Sequence, residues 1–205
     1  MDFLAIIGDP GSGKTNMLTR ILYREHRLGT PIISNLESLK LPQTYMGFDD
    51  LLNAVERNDS RLNYAYVGTD ELGVGADSYD FLSPKSRALV KFNTQRRKFG
   101  IRWAYTVQRQ SMITFRLRQL TSAYISMSDP DRFNMRRPDG SRARHHKEVC
   151  MGIFRAEFWD SDMRFIKWRW FNGRKYWPLY DTDEKISVGD SGKVLVPDDG
   201  EDDDY

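Results

Sequence analysis

Five short apolar runs punctuate the chain: Phe3-Leu4-Ala5-Ile6-Ile7, Pro31-Ile32-Ile33-Ser34-Asn35, Tyr64-Ala65-Tyr66-Val67, Ile101 to Val107, and Tyr124-Ile125-Ser126-Met127. Runs this short and this continuous suit parallel strands buried on both faces. Between them the apolar positions fall at helical spacing. Met17, Leu18, Ile21 and Leu22 share one helix face, and Gly29 with Pro31 supplies its stop. Asp49 or Asp50 is a candidate cap for a short helix from Leu51 through Ala54 and Val55, which Asn58-Asp59-Ser60 ends. Ser83-Pro84 opens and Phe99-Gly100 closes a helix carrying Ala88, Leu89 and Phe92, and Ile113 to Leu120 reads as another. Strand and helix in alternation predict an α/β fold with a mainly parallel sheet flanked by helices.

Strand character changes after Glu148. Val149 to Phe158, Met163 to Phe171 and Lys175 to Tyr180 are aromatic-rich runs joined by short turns, with Asn172-Gly173 as a hairpin turn. They predict an antiparallel extension of the sheet edge over about residues 148–180. Trp159, Trp168, Trp170 and Trp177 lie in it, and aromatic strands of this kind are expected to pack a core rather than stack bases. A single domain over residues 1–196 follows, with a disordered acidic tail over 197–205.

The first strand leads straight into Gly8-Asp9-Pro10-Gly11-Ser12-Gly13-Lys14-Thr15, which fits G-x-x-x-x-G-K-[ST] without a gap, and Asn16 follows. Gly8, Asp9, Pro10, Gly11, Ser12, Gly13, Lys14, Thr15 and Asn16 are the candidate nucleotide-binding residues. Glycines let backbone amides turn inward on phosphates, Lys14 reaches the β and γ phosphates, and Thr15 offers a hydroxyl to Mg²⁺. A helix opening at Gly13 adds its positive dipole end. The implied ligands are ATP and Mg²⁺.

The third run continues through Gly68-Thr69 into Asp70-Glu71. Acids at the carboxyl end of a parallel strand face the ligand crevice. Asp70 is the candidate metal ligand, beside Thr15, and Glu71 the candidate base that activates water. Gln108 ends the fourth run, where an amide can sense the γ-phosphate.

Composition adds three constraints. Cys150 is the only cysteine, so neither an internal disulfide nor a multi-cysteine zinc site can form, and His145-His146 lacks the spacing of helical metal ligands. No stretch approaches the roughly 18 apolar residues of a membrane span, which leads to the expectation of a soluble intracellular protein. Charge is uneven: residues 85–155 hold 17 Lys/Arg against 4 Asp/Glu, whereas residues 198–205 hold 6 acids and no base. Much of that excess follows Asp129, at Arg132, Arg136, Arg137, Arg142 and Arg144, in a segment read as a mobile basic loop. So much charge of one sign predicts a polyanionic partner.

With the phosphate loop, the strand into Asp70-Glu71, and Gln95-Arg96-Arg97-Lys98-Phe99-Gly100-Ile101 leading to Gln108, the chain resembles the FtsK-HerA group of DNA-translocating ATPases. Within that group it is similar to the genome-packaging ATPases of Sulfolobus turreted icosahedral viruses, over about residues 1–180. The resemblance implies an additional-strand, RecA-like P-loop fold with Glu71 as base, Gln108 as sensor and Lys14 on the phosphates. It also implies a ring, hexameric in the family, around double-stranded DNA in the host cytoplasm, with a capsid or portal partner at the capsid vertex. The family supplies an arginine from the neighbouring subunit, for which Arg96, Arg97, Arg116 and Arg118 are candidates here.

Two other readings compete. A small P-loop nucleotide or metabolite kinase fits the length and the loop, but an acid directly after the metal-binding Asp suits hydrolysis rather than transfer to an acceptor shielded from water. A nucleotide-gated DNA-binding scaffold fits the charge, and measurable turnover discriminates against it.

Overall fold

The first strand, β1 (Phe3–Ile7), is buried on both sides, with Phe3 and Ala5 in one apolar layer and Leu4 and Ile6 in the other. That two-sided burial decides its place in the middle of a sheet. The computed structural model describes residues 2–72, 92, 94–130, 152–181 and 194–195. The expected helix start at Ser83-Pro84, the basic run from Arg132 to Lys147 with His145-His146, Cys150 and the acidic tail lie outside the described residues.

After α1 (Lys14–Arg27) come β2 (Ile32–Ser34), β3 (Gln43–Tyr45), α2 (Phe48–Glu56) and β4 (Tyr66–Thr69). A helix over 94–99, α3, leads into β5 (Arg102–Val107), α4 (Phe115–Leu120) and β6 (Ala123–Ser128). Then follow β7 (Ile153–Asp160), β8 (Phe165–Asn172) and β9 (Val194–Leu195). The nine strands order as β8-β7-β6-β1-β5-β4-β2-β3-β9. From β6 to β3 every pairing is parallel, whereas β7, β8 and β9 run antiparallel at the two edges. The expected parallel sheet with an antiparallel extension is what forms.

Helix α1 covers one face through Met17, Leu18 and Leu22, while α2 and α4 cover the other through Leu51, Val55 and Leu117. Trp103 centres the second layer. Its ring stacks on Phe3 at 4.8 Å and meets Phe92 edge-on at 4.7 Å, and its Nε1 donates to Thr69 Oγ1 at 2.7 Å. Gly68 sits directly beneath α1, where an added Cβ would lie 2.8 Å from Leu22 Cδ1. Those two contacts explain why this strand ends Gly68-Thr69 rather than in aliphatic residues: the helix needs the missing side chain, and the indole needs the hydroxyl.

Strand β3 was not expected, and four expectations need correction. β3 has no apolar run to betray it; it is held by Gln43, whose buried Nε2 donates to the Leu36 carbonyl at 2.7 Å. Asp49 and Asp50 lie in the first turn of α2, and the cap position is Gly47, since the helix begins at Phe48. Residues Arg174–Leu179 form a 3-10 turn, not a strand. Gly173 there is right-handed (φ −80, ψ −19), and Asn172 Oδ1 accepts from the Arg174 amide at 3.1 Å, so the chain winds onward instead of reversing. The actual hairpin turn lies between β7 and β8, where Asp160 Oδ1 accepts from the amides of Asp162 and Arg164. Finally, Trp168 and Trp170 do not pack a core: they are 49% and 56% exposed.

Leu22 is fully buried and cannot swing clear of a new methyl group, so Gly68→Ala is expected to destabilise the fold by about 1–3 kcal/mol. Urea unfolding of Gly68→Ala, Leu22→Val and the double variant checks this. The two changes should be strongly non-additive, with Leu22→Val recovering part of the loss.

Candidate phosphate-binding site

β1 delivers Gly8 to the carboxyl end of the sheet, between β5 and β6, and the Gly8 amide donates to the Gln108 carbonyl at 3.3 Å. A Cβ on Gly8 would run into the Met127 carbonyl and come within 2.5 Å of Ser12 Oγ. Gly13, in the left-handed region at φ 87, caps α1 as expected, and a Cβ there would lie 2.8 Å from the Phe154 ring. The loop therefore takes a shape that side chains would obstruct, with the amino end of a 14-residue helix beneath it. Lys14 Nζ folds over the loop and donates to the Asp9 carbonyl at 3.0 Å. Ser12 Oγ is buried with no hydrogen-bond partner, a donor suited to an anion seated in the loop.

Asp70 lies below, 5% exposed at the end of β4. Thr15 Oγ1 donates to its Oδ2 at 2.8 Å and Thr106 Oγ1 donates to its Oδ1. Asn35 clamps its backbone from β2, donating Nδ2 to the Asp70 carbonyl at 2.9 Å and accepting from the Asp70 amide at 2.7 Å. Burial pushes the Asp70 carboxyl up, and the hydrogen bonds from Thr106 and Thr15 oppose that shift. A hydroxyl and a carboxylate side by side are the hard oxygen donors that Mg²⁺ prefers, so Thr15 and Asp70 fit the metal.

Glu71 is exposed and left-handed at φ 51, a backbone state uncommon for a residue with a side chain. Its amide donates to Thr106 Oγ1 at 2.8 Å. One hydroxyl, Thr106, thus orients both acids. The structure brings Lys14, Thr15, Asp70 and Glu71 to one end of the sheet, with Gln108 exposed beside Gly8.

The arginines separate. Arg96 is 6% exposed, donates to the Asp2 carbonyl at 3.0 Å and lies 5.0 Å over the Phe3 ring. That is the opposite end of β1, about 20 Å from the loop at roughly 3.3 Å per strand residue. Arg96 is committed to packing within its own subunit, whereas Arg97 and Arg116 are exposed. Arg118 is half-buried, 6.0 Å over the Phe115 ring.

Asn35, Thr106, Phe154 and Gly173 contribute to the site although none of them belongs to its motifs. Thr106 was visible as a hydroxyl near the end of an apolar run, and Asn35 as an amide closing another. Phe154 and Gly173 carried no such signal. They matter because the β7–β8 hairpin leans on the loop: Phe154 fills the space over Gly13, and Asn16 Nδ2 donates to the Gly173 carbonyl at 3.0 Å.

Thr106→Val keeps the shape but leaves Asp70 Oδ1 and the Glu71 amide unpaired, so a loss of about 1–3 kcal/mol is expected. Thr106→Ser keeps the hydroxyl and should stay within about 1 kcal/mol of the parent, the lost methyl being the only change. Equilibrium unfolding of the two variants checks the contrast.

No family model and no curated sequence matches the chain. Solved structures do. The fold is similar to the N-terminal domain of zonular occludens toxin from Neisseria meningitidis, at 18% identity and TM-score 0.56, covering 88% of this chain and 100% of that one. It is similar to the genome-packaging NTPase B204 of Sulfolobus turreted icosahedral virus 2 bound to ATP-gammaS, at 12% identity and TM-score 0.55, covering 82% and 96%. It is also similar to B204, the DNA-packaging ATPase from Sulfolobus turreted icosahedral virus, at 14% identity and TM-score 0.54, covering 82% and 96%. Together with its complete phosphate loop and the acids beneath it, this gives the chain the fold of the P-loop ATPases.

Proposed function

We propose that the chain is an ATP-hydrolysing motor that moves double-stranded DNA, working as a ring and packaging a viral genome. The observation that carries the reading is the linked set Thr15–Asp70–Thr106–Glu71, which sets a buried carboxylate under the phosphate loop and an exposed one next to it. Mg²⁺, held by Thr15 and Asp70, would neutralise charge on the β and γ phosphates when bound. Lys14 leaves the Asp9 carbonyl for the phosphates, and the loop amides orient them. Glu71 faces solvent, where a water can approach, and accepts its proton as the water attacks. Support for DNA comes from the basic excess of the middle of the chain and from the likeness to a solved genome-packaging NTPase. The ring, its hexameric count and a capsid or portal partner rest on the family resemblance.

Lys14→Ala is expected to abolish productive ATP binding, whereas Glu71→Gln keeps binding and loses about 10² to 10⁴ in turnover. Steady-state ATPase assays with and without double-stranded DNA, beside binding of a labelled ATP analogue, measure both. Parent-level turnover in Glu71→Gln would remove Glu71 from the base role.

If an arginine completes the site from a neighbour, Arg97→Ala, Arg116→Ala or Arg118→Ala should lower turnover by up to about 10³ to 10⁵. Mixing the inactive arginine variant with Glu71→Gln should restore part of it, since some hybrid interfaces then hold both groups. Turnover independent of protein concentration, with no rescue in any mixture, would point to a self-sufficient monomer.

A further inference from the structure

The order of the strands gives a nucleotide seated in the phosphate loop a direction. Asp70 ends β4, on the β5 side of β1, and with Thr15 it marks the side where Mg²⁺ and the β and γ phosphates belong. The α-phosphate and the nucleoside therefore leave on the other side of β1, toward β6 and β7. What stands there is the start of β7 and the turn that follows β8. The Gly173 amide donates to the Gly152 carbonyl at 2.7 Å, and the Gly173 carbonyl accepts from Asn16 Nδ2 at 3.0 Å, so the 3-10 turn Arg174–Leu179 sets out from beside the first turn of α1.

Arg174 and Trp177 are three residues apart in that turn, which puts them on one side of it. Both lie against Gly152, where an added Cβ would come within 2.8 Å of Arg174 Cγ and of Trp177 Cζ2. Tyr176 is spent on packing, stacked on Phe171 and edge-on to Tyr23. Trp177 is not: it is 37% exposed, and Arg174 is exposed beside it.

Two features suit a nucleoside better than further phosphate. Asn16 Oδ1 is buried with no hydrogen-bond partner among the described residues. As an acceptor it calls for a donor, which sugar hydroxyls and base amines supply and ionised phosphates do not. An exposed indole is a flat apolar surface on which a base stacks whatever its edge carries. The guanidinium of Arg174 has only donors, which match the oxygens of the sugar and the α-phosphate.

We propose that Trp177 is the platform on which the base of the bound nucleotide stacks, with Arg174 beside the sugar and α-phosphate. The inference deepens the reading of the phosphate loop as a nucleotide site and rests on it. Because stacking follows ring area, purines are held ahead of pyrimidines.

The test measures binding alone, on the full chain with Mg²⁺. Its ligands are a non-hydrolysable ATP analogue, the cytidine counterpart, and tripolyphosphate, which has the phosphates without a base. Calorimetry gives the affinities and tryptophan emission reports stacking. Expected are tighter binding of the ATP analogue than of the other two, and quenching by the ATP analogue but not by tripolyphosphate. Trp177→Ala should bind the ATP analogue about five- to a hundredfold more weakly, lose the quenching and the purine preference, and keep its affinity for tripolyphosphate. Trp177→Phe, which retains an aromatic face, should keep most of the affinity; thermal melting verifies that both variants fold. Undiminished binding of the ATP analogue by Trp177→Ala overturns the proposal. So does an equal loss for tripolyphosphate, which would make Trp177 a support of the loop. A parent that binds neither the analogue nor tripolyphosphate removes the phosphate site and this proposal together, whereas tripolyphosphate binding with Trp177 indifferent removes this proposal alone. Base-dependent binding without turnover or DNA stimulation leaves the platform standing and removes the motor.

Discussion

Everything at the carboxyl end of the sheet is arranged around one buried carboxylate. A charge as enclosed as Asp70 costs several kcal/mol unless donors surround it, and here each donor comes from a different part of the chain. Thr106 reaches it from β5, Thr15 from the start of α1, and Asn35 secures its backbone from β2. The strand order makes that convergence possible. β1, β5, β4 and β2 are consecutive in the sheet, so the phosphate loop, Thr106, Asp70 and Asn35 form a row across four neighbouring strand ends. A different order of the same strands would scatter the row and leave the carboxylate without partners.

The second constraint acts from the other side of β1. A phosphate loop built from glycines gains backbone freedom that must be removed before it can hold a fixed cradle. The β7–β8 hairpin removes it, with Phe154 against Gly13 and the Gly173 carbonyl on Asn16. The antiparallel extension is therefore part of the site's rigidity and not an appendage. Asn16 Oδ1 is left buried without a partner, so the contact is incomplete on its loop side. The Asn16–Gly173 hydrogen bond ties the phosphate loop directly to the end of β8.

How much of this the sequence disclosed follows from the range of each interaction. Strands buried on both faces leave contiguous apolar runs, so β1, β2, β4, β5 and β6 were legible, as was the phosphate loop, whose chemistry is local. β3 was not, because Gln43-Thr44-Tyr45 is stabilised by a buried amide and by pairing with β2 rather than by its own hydrophobicity. Arg174–Leu179 misled through composition: aromatic residues that resemble a strand become a 3-10 turn when Tyr176 packs against Phe171 and Tyr23. Asp70 and Glu71 were found from their position after an apolar run. Thr106, which orients both, lies 35 residues or more away in sequence and is tied to them only by the parallel pairing of β4 with β5.

Charge shows the same gap between sequence and fold. The density of Lys/Arg over residues 85–155 suggests one basic surface, yet two of its arginines are spent inside the subunit. Arg102 meets Glu25 at 2.6 Å and lies 5.2 Å over Tyr66, and Arg96 is sealed against Asp2 and Phe3. Both sit at the amino end of the parallel sheet, far from the phosphate loop, where they fasten β1 and β5 to their neighbours. A buried or paired cation contributes little to the field outside the protein. The cations left to act on a partner among the described residues are those that the fold holds outward, and on β8 Lys167 and Arg169 stand on the face opposite Trp168 and Trp170. Net charge along the chain therefore indicates that a polyanion is expected, while the packing of each arginine decides where it can be met.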